Sequence, residues 1–406
     1  MQWEQVLAPR MGRMKASEIR ELLKLLDQPD IISFAGGIPD PALFPVAAFQ
    51  GALTAALAPG KADAALQYSV SEGYLPLRQW LAAHMTGLGI PCGVDNILIT
   101  SGSQQALDYL GKLMIGTGDT VLVNWPTYMG ALGAFNAYEP VYDRLDPRDN
   151  RGAAEYTAKA AEAGGRVKFA YLSVDFANPT GETIPRADRE RVLDLADDLG
   201  AAIVEDAAYQ ALRFDGEAVP PILALEIARK AKTGGSIEDC RTIYCGSFSK
   251  TLAPGLRVGW VCAASPVIGR LVLMKQAADL HSSTLNQMAI ADVAANLFES
   301  HVAGLREVYK ARRDHMLAAL SREMPKGVSW TRPEGGMFVW ITLPETMDGA
   351  ALLARSLETE RVAFVPGRAF FADGSGGNTI RLSFSRADEA AIDEGIRRLG
   401  RLIAAD

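Results

Sequence analysis

The sequence predicts an α/β fold: a mostly parallel sheet between helices, joined to a smaller α+β part. Two observations carry this. From about residue 95 to 265, short apolar runs of strand length alternate with segments of helical period, the pattern that builds parallel sheets covered by helices. After about residue 290 the alternation stops. A long helical stretch through His301 and Arg313 leads to Val328-Ser329-Trp330, Gly336 to Ile341, Val362 to Val365 and Thr379 to Phe384, with a last helix after Asp388. The 406 residues suffice for more than one domain. The expected division is an N-terminal arm over 1–45, a large domain over 46–290 and a small domain over 291–406.

The elements follow in chain order. Ile19, Leu22, Leu23 and Leu26 form a helical stripe, with Arg20 off it. Asn96 to Thr100 is strand-like and passes into Ser101-Gly102-Ser103-Gln104-Gln105, which opens a helix; free N–H groups and the helix dipole at such an opening attract phosphate. Val121-Leu122-Val123 leads to Trp125-Pro126-Thr127-Tyr128, and Phe169 to Val174 leads to the turn Asn178-Pro179-Thr180-Gly181. Between Arg186 and Leu199, residues Val192, Leu195, Ala196 and Leu199 make one apolar stripe and Gly200 ends it. The buried-strand pattern Ala201 to Asp206 ends in a carboxylate, with Tyr209 three residues on. Thr242 to Cys245 is the next strand, followed by Ser247-Phe248-Ser249-Lys250 and then Arg257. A glycine-dense loop, Asp373 to Gly377, precedes the strand that holds Arg381.

Composition removes several function classes. Hydrophobic content of 49% and charged content of 22% are ordinary for a globular protein. A net charge of -7 argues against nucleic acid as a main partner. The first residues lack the apolar core of a signal peptide, and no apolar run reaches membrane-spanning length, so the cytoplasm is the expected location. Cys92, Cys240, Cys245 and Cys262 have no metal-ligand spacing, and the four histidines include no i, i+4 pair. No Walker spacing, G-x-G-x-x-G or G-x-S-x-G motif is present.

The remaining motifs point to an aldehyde cofactor. Lys250 lies just beyond a strand's carboxyl end, where open α/β sheets bind ligands, and an amine there can form a Schiff base. Ser247, Ser249 and Arg257 suit a phosphate dianion, since hydroxyls donate and arginine bonds it in bidentate fashion. Pyridoxal 5'-phosphate (PLP) has both groups. Its chemistry needs an anion beside the pyridine nitrogen, which Asp206 fits. Tyr209 and Asn178 could donate to the cofactor's phenolate oxygen, and Tyr128 could stack on its ring. Arg381, a charge within an apolar strand, needs a partner.

Taken together, Ser101-Gly102-Ser103-Gln104, Tyr128, Asn178 to Gly181, Asp206 with Tyr209, Ser247 to Lys250, Arg257 and Arg381 resemble the fold-type-I class I/II aminotransferases in order and spacing. Within that family the chain is most similar to the 2-aminoadipate and kynurenine aminotransferase group, on Ala16 to Lys24, Ser33 to Pro39, Gln67-Tyr68-Ser69 and Gly335 to Trp340. The resemblance implies a seven-stranded sheet in the large domain, Lys250 as the Schiff-base lysine, Asp206 at the pyridinium, Asn178 and Tyr209 at the phenolate oxygen, and Tyr128 over the ring. It implies further that Ser103, Gln104, Ser247, Ser249 and Arg257 hold the phosphate, with Tyr68 reaching it from the other subunit of a homodimer. Arg381 would bind the substrate carboxylate, with Gly37 and Asn178 beside it, and Arg20 would meet an acidic side chain. The implied reaction is ping-pong transfer of an amino group from an L-amino acid (2-aminoadipate, aromatic, branched apolar or glutamate) to a 2-oxo acid such as 2-oxoglutarate. Two alternatives stand beside it: another PLP reaction (C–S lyase, decarboxylase or racemase), and a non-catalytic sensor like the aminotransferase-shaped portion of some transcription regulators.

Overall fold

Residues 5–14 and 30–405 are described in the computed structural model; Arg20 and the stripe from Ile19 to Leu26 lie outside the described residues. Strands in chain order are β1 (Ile32–Ser33), β2 (Ile97–Thr100), β3 (Thr120–Val123), β4 (Val141–Arg144), β5 (Val167–Ser173), β6 (Ala202–Asp206), β7 (Thr242–Ser247), β8 (Gly259–Cys262), β9 (Ser329–Trp330), β10 (Phe338–Thr342), β11 (Val362–Ala363), β12 (Val365–Pro366) and β13 (Thr379–Ser383). The helices used below are α1 (Val46–Ala56), α2 (Ala62–Leu66), α3 (Leu75–Gly87), α4 (Ser103–Met114), α5 (Met129–Asn136), α6 (Ala153–Glu162), α7 (Arg186–Leu199), α8 (Ile222–Ala231), α9 (Ser265–Gln276), α10 (Thr284–Glu323), α11 (Gly349–Arg355) and α12 (Glu389–Ala404).

The seven-stranded sheet has the order β2-β8-β7-β6-β5-β3-β4. All its strands run the same way except β8, which is antiparallel to both neighbours. Strands β2, β3, β7 and β8 are buried at every position, so they read as unbroken apolar runs, as strands covered on both faces do. Side chains alternate between the two covers. Val204 joins Leu98, Val121, Phe169 and Ile243 under α4 and α5, while Ile203 joins Leu122, Ala170 and Leu172 under α7 and α8. Gly200, left-handed at φ 61°, closes α7 where the apolar stripe ends.

The antiparallel sheet β12-β13-β10-β9 packs with α12 and the second half of α10 in a separate core around Phe338, Ile341, Leu382, Leu320 and Ile396. The 40-residue α10 runs unbroken past residue 290. Its early residues Ile290 and Val293 pack in the core behind β2, and Tyr309 and Met316 pack in the small one. An amphipathic helix with successive apolar faces covered by different neighbours has no reason to break between them.

Topology then fixes the site. In a sheet of this direction β2, β3, β5, β6 and β7 all end at one edge, and β8 begins there. The segments 101–104, 124–128, 174–181, 206–209 and 247–250 therefore meet, with Arg257 just before β8. A sixth piece arrives from the other side: β1 pairs in parallel with β11 in a separate two-stranded sheet, and the Phe34 carbonyl accepts from the Ser383 amide at 2.8 Å. This lays Ala35 to Gly37 alongside Arg381 on β13.

Candidate active site

The amine of Lys250 donates to the Gly37 carbonyl at 2.8 Å and lies 5.7 Å from the Tyr209 ring centre. Burial, then the charges of Arg381 and Arg257, lower its pKa from 10.5 to about 8, and Asp206 opposes them. Asp206, at the end of β6, is buried. Its Oδ2 accepts from the Tyr171 hydroxyl at 2.7 Å, while its Oδ1 is buried without a partner among the described residues. Burial pushes this carboxyl above its ordinary range; Tyr171, the Ala208 backbone and the Lys250 charge hold it down. Tyr209 is buried, its hydroxyl within hydrogen-bonding reach of Asn178, and burial raises its pKa. Tyr128 is half-buried and raised by burial and by Asp206.

Arg381 is 1% exposed. Its Nη1 donates to Asn178 Oδ1 at 2.7 Å and its Nη2 to the Ala35 carbonyl at 2.8 Å. The guanidinium sits 4.2 Å from the Phe338 ring centre and 5.1 Å from that of Phe370. Burial lowers its pKa to about 10, so it stays charged at neutral pH. No carboxylate of the described residues pairs with it, so the partner its strand position demands is not supplied by the fold. Gly37 allows the close approach: a Cβ there would stand 2.7 Å from the Phe338 ring.

A second cluster forms a cradle. Helix α4 begins at Ser103 behind Gly102, which has φ 81° and caps it without a side-chain hydrogen bond; the Gln105 amide donates to the Gly102 carbonyl at 3.2 Å, and no side chain caps the amides of Ser103 and Gln104. A Cβ on Gly102 would strike the Arg257 guanidinium, and one on Gly259 would stand 2.7 Å from the Ser103 nitrogen. Both glycines are thus needed for β8 and Arg257 to pass under the helix opening. Arg257 donates to the carbonyls of Ser101 (3.3 Å) and Pro254 (3.2 Å) and pairs with no carboxylate of the described residues. Ser247 donates to Ser249 Oγ at 2.9 Å. Gln104 Nε2 donates to the Gly130 carbonyl at 2.7 Å, tying the helix opening to the loop of Tyr128.

Tyr68 is 78% exposed, with the His281 ring edge-on to it at 6.0 Å. Residue types alone carried no sign of the Tyr171 bond or of the Ala35 and Gly37 carbonyls as acceptors. Tyr171 reads as one more apolar residue of a buried strand, and a backbone acceptor has no residue-type signal.

The donor set suits PLP on three counts. An unpartnered buried carboxylate oxygen matches a protonated pyridine nitrogen, a helix opening beside an arginine that pairs with no carboxylate of the described residues matches a phosphate, and an amine of lowered pKa matches an aldehyde. Fold and site together define a PLP-dependent enzyme of fold type I. The family described as aminotransferase class I and II matches residues 30–399. The 2-aminoadipate transaminase of Thermus thermophilus is 44% identical over 99% of this chain and 98% of its own length. Aromatic-amino-acid aminotransferase 1 of Thermococcus litoralis is 43% identical over 99% of this chain and 95% of its own. The crystal structure of the alpha-aminoadipate aminotransferase from Thermus thermophilus, complexed with N-(5'-phosphopyridoxyl)-L-leucine, has 41% identity and a TM-score of 0.88, covering 100% of this chain and 99% of that one. The chain belongs to the aminotransferase class I and II family and is a PLP-dependent amino acid aminotransferase.

Proposed function

We propose that this enzyme moves the amino group of 2-aminoadipate, glutamate, and aromatic or branched apolar L-amino acids to a 2-oxo acid such as 2-oxoglutarate. The observation that carries it is Arg381, a buried guanidinium bonded to Asn178 and with no carboxylate partner among the described residues, beside the lowered amine of Lys250. Relatives named for 2-aminoadipate and for aromatic amino acids support a mixed substrate range.

PLP, when bound, supplies an aldehyde for the amino group and a protonated ring that draws electron density from the substrate Cα. The residues do the rest. Arg381 and Asn178 grip the α-carboxylate, which sets the Cα–H bond toward Lys250. Lys250 Nζ then takes the Cα proton, acting as general base and later as general acid; a pKa near 8 keeps both forms accessible at neutral pH. Asp206 offers its unpartnered Oδ1 to the ring nitrogen and keeps it protonated. Tyr209 and Asn178 donate to the phenolate oxygen, and Tyr128 covers the ring. Ser103, Gln104, Ser247, Ser249 and Arg257 hold the phosphate. Arg20 is assigned to the acidic side chain of 2-aminoadipate or glutamate.

The chain is proposed to act as a homodimer with Tyr68 completing the partner's phosphate site. Its 78% exposure leaves the ring available for that contact. The four cysteines are free, which suits the reducing cytoplasm as its location.

The substrate range is tested by adding single amino acids to the holoenzyme and following loss of the bound cofactor's visible absorbance. Arg381→Ala should abolish the change for every donor, and Arg20→Ala only for 2-aminoadipate and glutamate. Release of ammonia without a new amino acid from 2-oxoglutarate would replace transamination by elimination. The dimer is tested by mixing inactive Tyr68→Ala and Lys250→Ala proteins: a shared site regains activity in mixed dimers, and separate sites stay inactive.

A further inference from the structure

Tyr171 occupies the middle of β5, directly opposite Val204 on β6, whereas Asp206 lies two residues further along, opposite Ser173. Val204 and Asp206 share a face of the sheet. A diagonal neighbour of this kind is within reach only of a long or aromatic side chain, and the Tyr171 phenol spans the gap to donate to Asp206 Oδ2 at 2.7 Å. The ring is completely buried, set edge-on against Phe135 at 5.7 Å between centres and packed among Phe169, Val204 and Ile243. Phenylalanine would fill the same space, so packing does not account for the hydroxyl. A hydroxyl placed there without an acceptor would be costly, and Asp206 is the acceptor it has.

From this geometry we infer that Tyr171 is a positioning residue for the amino-transfer reaction: by donating to Oδ2 it aims the unpartnered Oδ1 of Asp206 at the cofactor's ring nitrogen and helps hold that carboxylate as an anion. The inference rests on the reading that Asp206 faces the ring nitrogen. The other titratable groups around Asp206 do not take this role. Tyr244 and Cys245 of β7, and Tyr128 and Tyr209 from the loops, are neutral groups raised by burial, while Lys250 acts as a charge. Tyr171 itself is raised well above 10 by burial and by Asp206, so it remains a donor across the working range. Loss of that donor makes the carboxylate more basic. With PLP bound, the proton shared with its ring nitrogen would shift toward Asp206, and the ring would withdraw less electron density from a Lys250 nitrogen joined to the aldehyde carbon.

The test is a pH titration of the visible absorbance of the holoenzyme, together with the PLP dissociation constant. Tyr171→Phe should raise the titration midpoint by about one pH unit and weaken PLP binding about tenfold, as expected for one hydrogen bond to a charged group. Site-specific Tyr171→3-fluorotyrosine, a stronger donor of nearly the same size, should lower the midpoint, and it decides the matter if the phenylalanine variant does not fold. Midpoints and affinities that stay at the wild-type values in the variants that fold would reduce Tyr171 to packing. Asp206→Asn is measured alongside. If it also leaves the midpoint unmoved, the placement of Asp206 at the ring nitrogen has failed; if it moves the midpoint and the Tyr171 variants do not, only the role of Tyr171 has.

Discussion

If Lys250 is the amine that joins the cofactor, as proposed, its lowered pKa should set how fast the apoenzyme takes PLP up. An amine adds to an aldehyde only when neutral. With a pKa of about 8 in place of 10.5, the neutral fraction at pH 7 is about one tenth instead of about 0.03%, a gain of roughly 300-fold. The rate of PLP uptake, followed by stopped-flow absorbance at fixed PLP, should therefore rise about tenfold per pH unit below 8 and level off above it. Replacing Arg381 by Met removes the second cause of the lowering, so the break should move up and uptake at pH 7 should slow several-fold. The same shift appears in stability. Between pH 8 and 10.5 the unfolded chain binds more protons at this position than the folded one, so folding of the apoenzyme gains stability with rising pH, by on the order of 3 kcal/mol relative to Lys250→Met. A break near 10.5, or uptake that does not change from pH 6.5 to 9, would refute the argument that burial and the two arginines tune this amine.

Three further outcomes can be measured. Arg381→Lys should lower kcat/KM by about a hundredfold or more while leaving PLP affinity near wild type, because an ammonium cannot hold Asn178, Ala35 and a carboxylate in one plane. Gly102→Ala forces a side chain onto φ 81° and into Arg257, so fluorescence titration should show PLP binding weakened about tenfold and denaturant melts should show a loss of about 1 kcal/mol. Glu205 is pushed by burial to about 7 from 4.5, so the unfolded chain binds fewer protons than the folded one between those values. Wild-type stability should accordingly fall as pH rises from 4.5 to 7, and Glu205→Gln should flatten that slope in urea melts at successive pH values.

Strands β2, β3, β5, β6 and β7 were legible because coverage on both faces makes them mostly apolar runs set off by polar turns, whereas β4, half-buried and ending in the exposed Arg144, was not singled out. The grouping of the candidate site residues was legible for a related reason: in a parallel sheet the residue types that follow each strand are brought to one edge, so order along the chain already implies nearness in space. What stayed hidden depends on side-chain direction and on backbone atoms. Glu205 and Asp206 are adjacent carboxylates at a strand end, and they do unlike work because the pleat sends them to opposite faces. Glu205 accepts from the first amides of α8, at Ile222 (2.7 Å) and Leu223 (3.0 Å), while Asp206 meets Tyr171 and the site. The reversal of β8 was equally invisible, since a four-residue buried strand carries no signal of its direction.

The charge balance of the site explains why several of these residues cannot be exchanged independently. Lys250, Arg257 and Arg381 bring three cationic groups toward one edge where Asp206 is the carboxylate that faces them. Neither arginine has a carboxylate partner among the described residues, so the excess is left for anionic ligands to meet; in the proposed assignment these are a phosphate at Arg257 and a carboxylate at Arg381. Each anion that binds also reduces the repulsion that depresses the Lys250 amine. Filling the two arginine sites must then raise the pKa of that amine and so favour its proton-holding form. On the proposed assignment of Lys250 as the base and Arg381 as the carboxylate site, a seated substrate carboxylate makes the amine more basic while leaving less of it neutral, so a proton taken from Cα is held more firmly.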